Sequence, residues 1–418
     1  MKRRQQGGKR DEQARRGMRP LKSLISLDEA IRIAMDVGRP MMRKETVPIL
    51  DALRRVAASD VRSTIDVPLA DRAAMDGYAV LARDTSHARK SEPVALRWNE
   101  TLYADGVPRK RVTPGRCTEV ATGSTLPRGA DAVVKVEDTD RERDLVSVRA
   151  AVRPGENVSR RGEDIERGSR VVREGEMLTP AKVGALAAIG LARAHVYAKP
   201  RVSILVSGDE VVPPGKPIRA GQVYDINSNT IASVVLENGG EPILFGRVSD
   251  RLEALRAAVR KAIVHDLLVV SGGSSVGEKD LLIDVVGSMG DVLFHGIAVK
   301  PGKPTILGRV DGKAVLGMPG NPTSCLSNGY VILAPMLRRM ARLPTRQEKV
   351  VEVPLAERVV STIGRVKFHT VRIVDGEAVP AFKESSAITS MAHADGYIEI
   401  PANVDLVEKG EVVRVVLF

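Results

Sequence analysis

Cysteine is nearly absent from this chain. Two residues in 418, Cys117 and Cys325, cannot build a disulfide framework or a thiolate metal centre, which points to a reducing compartment, the cytoplasm. Long apolar runs are missing too. The longest candidate, Val183 to Ala198, is interrupted by Gly184, Gly190, Arg193 and His195. It falls short of the roughly 18 residues that cross a bilayer and instead predicts a buried helix followed by a strand. The first residues lack the apolar stretch of a secretory signal. There is no P-loop lysine motif and no nucleophile elbow. Asn and Gln are scarce while charge is abundant, a balance found in heat-adapted proteins.

What is present is a folded chain of more than one part. Hydrophobic residues make up 43% of the sequence and are spread along it in short patches. At about 100–200 residues per domain, this length predicts two to four domains. The net charge of +12 is uneven, because residues 1–20 carry eight Lys/Arg against two Asp/Glu. This tail could meet nucleic acid or an acidic membrane through nonspecific electrostatics, but the reading preferred here is a disordered, solvating extension, with Met18 as an alternative start.

Ser26-Leu27-Asp28-Glu29 opens an apolar helical pattern that Gly38 and Pro40 close, a capping signature. A second helix is expected over 49–59, then an extended segment to a break at Pro68. From 69 to 159 the texture becomes short strand-like runs between Gly, Pro and charged turns, which predicts an inserted β-rich domain. Residues 160–198 return to a mixed pattern, with Thr179-Pro180 as a helix entry, so 21–68 and 160–198 together predict a discontinuous first domain. From 199 to 345 strands alternate with amphipathic helices, the pattern of an α/β domain on a parallel sheet that binds ligands at the carboxyl ends of its strands. Alternating runs over 346–418 predict a C-terminal β-barrel.

Three glycine-rich loops follow strands of the α/β domain. They are Ser207-Gly208-Asp209-Glu210, the run Ser271 to Asp280, and Gly317 to Pro322. Glycine lets backbone amides approach an anion closely, and a following helix adds a favourable dipole. Any one of these is an ordinary turn; three in successive positions at the ligand edge make a binding site. Lys300-Pro301-Gly302-Lys303-Pro304 adds two lysines on a proline-stiffened segment that either suits an oxyanion or phosphate or is a solvated basic turn. Glu210 and Asp280 sit in the loops as candidate Mg²⁺ ligands. Asp250 is either a further acid of the site or a cap on the helix that follows it. His265 and His295 lack metal-ligand spacing.

Taken in order, Ala73–Val80 (AAMDGYAV), Ala121–Asp138, Arg160–Ile165 (RRGEDI), SGDE, SGGSSVGEKD, IAVKPGKP and GMPGNP resemble the motifs of the molybdopterin molybdenumtransferases, a family that includes the E domain of gephyrin. The resemblance spans 21–418. It implies an elongated homodimer with a cleft shared between subunits, and an enzyme that inserts molybdate or tungstate into adenylylated molybdopterin and releases AMP with Mg²⁺.

By motif position, Asp76 and Thr122 resemble the β-domain contribution to that cleft. Asp164, Glu210, Asp250 and Asp280 resemble the acids around the phosphoanhydride, with Glu210 and Asp280 on the metal. Lys300, Lys303 and Pro304 resemble the molybdate-receiving segment. Ser207, Gly208, Gly272, Gly273, Ser274, Ser275, Pro319, Gly320, Asn321 and Pro322 resemble the loops that hold the pterin phosphate.

Two positions depart from the family. Ser207 stands where many members have Thr, which keeps the hydroxyl. Thr370 follows Phe368-His369 where many members have Arg, which leaves Arg372 as a candidate substitute; Ser385 and Ser390 are candidate ligands from the barrel. The expected partners are a second copy of the chain, the pterin nucleotide, the oxyanion and other proteins of cofactor biosynthesis, without membrane or specific nucleic acid. The rival readings are a molybdopterin adenylyltransferase, whose fold resembles the α/β domain alone, and a scaffold of the gephyrin type.

Overall fold

The structure is a computed structural model that describes residues 24–272 and 281–418. The basic segment 1–20 and four candidate site residues, Gly273, Ser274, Ser275 and Asp280, lie outside the described residues. The described residues form two compact units, the second made of residues 46–53 and 57–196 and the first of the remainder.

Helix α1 (Leu27–Val37) starts where the capping signature places it, with the Ser26 side chain accepting a hydrogen bond from the Glu29 N–H. Such a cap contributes about 1 kcal/mol. The buried stripe Leu27, Ala30 and Ala34 joins the core of the α/β layer. The helix expected over 49–59 does not form. Only Leu50–Ala52 makes a single 3₁₀ turn, and Arg54 at φ 58° turns the backbone out of helical geometry. The amides of Ala57 and Ala58 bond instead to the carbonyls of Glu176 and His195.

The second unit holds a six-stranded sheet of β1 (Gly77–Val80), β2 (Val94–Leu102), β3 (Arg116–Val120), β4 (Ala132–Lys135), β5 (Thr139–Glu142) and β6 (Leu145–Val148), in the order β4-β1-β3-β2-β6-β5. Its core, around Tyr78, Leu96, Cys117, Val134 and Val146, is separate from a second cluster in the same unit. That second cluster is built from Ala52, Ala57, Val172, Leu178, Leu186 and Val196. It contains helix α2 (Pro180–Ala188), entered at Thr179, whose hydroxyl caps the Lys182 amide.

The first unit contains the α/β layer. Its elements are β7 (Arg201–Ser207), α3 (Asn227–Glu237), β8 (Glu241–Val248), α4 (Leu252–Ala262), β9 (Leu267–Ser271), α5 (Leu281–Met289), β10 (Gly290–His295), a short β11 (Val299–Lys300), β12 (Ile306–Val310), β13 (Lys313–Met318), α6 (Pro322–Asn328) and α7 (Ala334–Met340). All five residues of β9 are buried because helices cover both faces. The period of two sends Leu267 and Val269 to one core and Leu268 and Val270 to the other.

The sheet order is β8-β7-β9-β13-β12-β10. β8, β7, β9 and β13 run parallel, while β12 pairs antiparallel with both β13 and the edge strand β10 and alone runs against the others, so the sheet is mixed and not parallel throughout. The reversal comes from the two-residue turn Asp311-Gly312, both at positive φ (49° and 73°). Such a turn matches strand twist only when both central residues are left-handed, and an Asp-Gly pair meets that demand.

The C-terminal sheet adds β14 (Val350–Pro354), β15 (Val366–Val374), β16 (Glu377–Pro380), β17 (Gly396–Ile400) and β18 (Val412–Leu417). They pair with β11 in the order β11-β15-β17-β18-β14, with β16 on β15. The path ends at β11 and β14, which makes a half-barrel where sequence predicted a barrel. Val371, Ile398, Ile400 and Val415 are buried together in its core.

His369 is buried beside that core, and neither ring nitrogen has a partner. Burial, then the charge of Lys367, pushes its pKa from 6.5 down to about 4. Between these two pH values the unfolded chain binds more protons than the folded one, so this group withdraws stability as pH falls through the window and the loss levels off below it. Replacing His369 by Leu is therefore expected to flatten the fall in the urea unfolding midpoint between pH 6.5 and 4. Equal slopes in variant and parent would contradict this reading.

Candidate functional site

β7, β9 and β13 are neighbours and parallel, and each is followed by one of the glycine-rich loops. Parallel strands bring those loops to a common edge. There Ser207 and Glu210 of the first loop, Ser271 and Gly272 at the start of the second, and Pro319 to Pro322 of the third line one cavity of about 820 Å³. Of the residues singled out from sequence, it is lined by Ser207, Glu210, Asp250, Gly272, Pro304, Pro319, Gly320, Asn321 and Pro322. Gly208 lies in the Ser207–Glu210 loop, where a Cβ would stand 2.9 Å from the Glu210 carboxylate. Lys300 and Lys303 do not line this cavity.

The acids have distinct surroundings. Asp250 accepts a short hydrogen bond from the Ser207 hydroxyl, while α4 has no side-chain cap, so Asp250 belongs to the pocket and not to the helix. Arg247 donates to the carbonyls of Gly208 and Asp209 at 3.3 and 2.8 Å and braces that loop. Glu210 makes no side-chain hydrogen bond among the described residues and keeps its oxygens available. Asp225, which also lines the pocket, is occupied by the amide and hydroxyl of Ser228.

Asn227 was not singled out from sequence. Its amide nitrogen donates to the Ser271 hydroxyl at 2.8 Å and to the Gly320 carbonyl at 2.7 Å, and so ties two of the three loops together. Its buried Oδ1 has no protein partner and can accept a ligand N–H. The only local signal was an Asn opening a helix at the carboxyl edge of the sheet, and which loops it would reach depends on a contact 93 residues away. Asn227→Ala leaves the Gly320 carbonyl without its donor and should destabilise the protein by about 1–3 kcal/mol. It should also weaken pterin-nucleotide binding, which calorimetry would measure; unchanged affinity would remove Asn227 from the site.

From the C-terminal segment, Ser386 lines the cavity, and its neighbours hold the rim. Asn321 donates to the Ser385 hydroxyl at 3.1 Å, and Thr323 bonds to the carbonyls of Ser385 and Ala387. Ser385 is thus a brace and Ser386 the lining residue. Ser390 is fully buried and accepts the Lys383 amide. Behind the loops, burial pushes the Cys325 thiol up to about 12, so it is no nucleophile at neutral pH.

Asp76, Thr122 and Asp164 belong to the second unit. The Thr122 amide (2.6 Å) and hydroxyl (2.8 Å) both donate to the Asp76 carboxylate and hold it below the usual carboxylate range. Asp164 is exposed. Thr370 is buried with an unpartnered hydroxyl, and Arg372 is exposed on β15. No group of three His, Cys, Asp or Glu positioned for a metal occurs among the described residues, and no described helix is long and apolar enough to cross a membrane.

Comparison with known proteins places this geometry. Residues 25–190 match the MoeA N-terminal region (domain I and II), 203–339 a domain described as "Probable molybdopterin binding domain", and 352–418 the MoeA C-terminal region (domain IV). The molybdopterin molybdenumtransferase 2 of Mycobacterium tuberculosis is 34% identical over 401 residues, covering 93% of this chain and 98% of that protein. The molybdopterin molybdenumtransferase of Bacillus subtilis is 30% identical, covering 94% of each. A crystal structure of the molybdopterin biosynthesis MoeA protein of Pyrococcus horikoshii has a TM-score of 0.80 at 31% identity, over 95% of this chain and 100% of that one. With these relatives matching nearly end to end and the loops of the pterin-binding layer around one pocket, the chain belongs to the molybdopterin molybdenumtransferase family.

Proposed function

We propose that this chain completes the molybdenum cofactor in the cytoplasm by inserting molybdate or tungstate into adenylylated molybdopterin with release of AMP. The observation that carries the reading is the convergence of residues at and just beyond the ends of three adjacent parallel strands, Ser207 and Glu210, Ser271 and Gly272, and Pro319 to Pro322, on one acid-lined pocket. A cavity of about 820 Å³ is in the range of small-molecule sites, and backbone loops suit phosphate groups.

The donor set fits Mg²⁺. Glu210 has free carboxylate oxygens and Asp250 lies across the same pocket, both hard oxygen donors. Mg²⁺ takes one or two carboxylates together with substrate phosphates, so no larger acidic cluster is required. Bound there, it would neutralise charge on the leaving phosphate. Asp280, the other candidate metal ligand, is part of the proposal by motif position. The chain's own work is positioning. Asn227 fixes two loops, Ser207 orients Asp250, and Ser385 braces Asn321 at the rim. Water attacks the phosphoanhydride, and a new P–O bond forms as the old one breaks and AMP departs. The metal of the oxyanion bonds the two dithiolene sulfurs as one of its oxygens leaves with the two thiol protons as water, without a covalent enzyme intermediate.

The remaining parts of the proposal are a homodimer in which Asp76 and Thr122 reach the partner's pocket, Asp164 as a further acid around the phosphoanhydride, and four domains with boundaries at 69, 160, 199 and 346. Purified protein with adenylylated pterin and Mg²⁺ should release AMP only when molybdate or tungstate is added. Oxyanion-independent release at the same rate would sink the assignment. Mixed Asp76→Ala and Lys303→Ala subunits should recover activity if the cleft is shared, and no recovery despite subunit exchange would exclude that arrangement.

A further inference from the structure

Helix α6 meets the pocket at its beginning. Pro322 and Ser324 line the cavity, whereas its last residue, Asn328, is 1% exposed and does not. Asn328 serves a different stretch of chain. Its amide nitrogen donates to the Gly302 carbonyl at 2.9 Å and to the Thr305 hydroxyl at 2.6 Å, and that hydroxyl donates to the same Gly302 carbonyl at 2.9 Å. One side chain thus clasps the backbone on both sides of Lys303 and Pro304. The approach requires glycine at 302, where φ is +109° and a Cβ would stand 2.3 Å from the Asn328 Oδ1.

Backbone bonds close the turn on itself. The Lys303 carbonyl accepts the amides of Ile297 at 3.1 Å and Thr305 at 2.9 Å, and the Thr305 carbonyl accepts that of Gly296 at 2.7 Å. Asn328 ties this closed turn to the helix that carries the third glycine-rich loop, and Pro304 of the turn lines the pocket from there. Two features speak against packing as the whole role of this residue. Its Oδ1 is buried with no partner among the described residues, a cost that an apolar side chain of similar size would avoid. The helix also changes register directly after it, because Gly329–Leu333 wind as a π turn, an irregularity frequent at functional positions.

We propose that Asn328 is a positioning residue for oxyanion transfer, which sets Lys303 and Pro304 at a fixed place against the loop that opens its own helix. The seven residues of α6, at 1.5 Å each, make a strut of about 10 Å between that loop and the turn. The inference rests on the proposed function for the reaction and on motif position for Lys303. It adds a residue outside those motifs and assigns it no contact with the anion.

Asn328→Leu keeps the volume and removes the clasp. Titrated with molybdate at saturating pterin nucleotide and Mg²⁺, this variant should need about tenfold more molybdate for half-maximal AMP release, since a small misplacement far from the chemistry is costly. Its pterin-nucleotide affinity, measured by calorimetry, should stay within about twofold of the parent's, because Asn227 and Ser385 still hold the loops. A purely structural residue would lower the urea midpoint without this split. Parental molybdate dependence overturns the assignment, and so does an equal loss for molybdate and nucleotide. If Asn328→Leu does not fold, Thr305→Val removes the hydroxyl shared by Asn328 and Gly302 and decides by the same pair of measurements. A raised molybdate requirement at parental nucleotide affinity upholds the role, and a parental requirement overturns it. AMP release that ignores the oxyanion in the parent refutes the insertase assignment and this role together, whereas a responsive parent with an identically responsive variant refutes the role alone.

Discussion

Glu210→Gln should slow oxyanion-dependent AMP release by about 10²- to 10³-fold, the usual effect of deleting one preorganised electrostatic contact. The replacement keeps shape and removes charge. The carboxylate has no hydrogen bond to lose among the described residues, so the folded protein should be as stable as its parent. The Mg²⁺ concentration for half-maximal rate should rise by about tenfold or more, the scale of lost metal affinity. Kinetics over a Mg²⁺ series would read both effects, and a variant with parental rate and Mg²⁺ dependence would take Glu210 out of the reaction.

The second large effect is expected at Gly272. Its φ of +86° is left-handed, and a Cβ there would stand 2.3 Å from the Ser207 carbonyl oxygen. The left-handed conformation alone costs a non-glycine residue about 1–2 kcal/mol. The clash must also be relieved by moving either the end of β7 or the loop after β9. Gly272→Ala should therefore lose roughly 3 kcal/mol or more of stability and displace two walls of the pocket together. A urea titration and a pterin-nucleotide binding curve would report the two losses, and normal values for both would mean that this close approach of backbones is not needed.

Much of the fold was legible because its signals are local. The cap at Ser26, the apolar run Leu267–Val270 and the entry at Thr179-Pro180 each act within a few residues, and each element begins where its signal lies. The antiparallel edge was missed although Asp311-Gly312 announces a hairpin, because the alternation of strands and helices overrode a two-residue signal. The helix expected over 49–59 failed for a tertiary reason, since the carbonyls that take the Ala57 and Ala58 amides lie more than 100 residues away. In the site, residues carried by glycine loops were readable from their motifs. Asn227 and Ser386 were not, because their roles arise only when distant segments meet. Lys300 does not line the pocket, and its short strand sets it opposite Lys367.

The brace at Ser385 to Ala387 has a consequence for anyone re-engineering this molecule. Because these residues grip both Asn321 and Thr323, the rim of the pocket is fastened by a stretch of chain far downstream of it. A hybrid that borrows its last 70 or so residues from a relative will inherit a foreign clasp, since an ordinary strand needs only about 5–6 residues and the grip comes from the connecting turn instead. Such grafts should carry the turn and the helix start it holds as a single cassette.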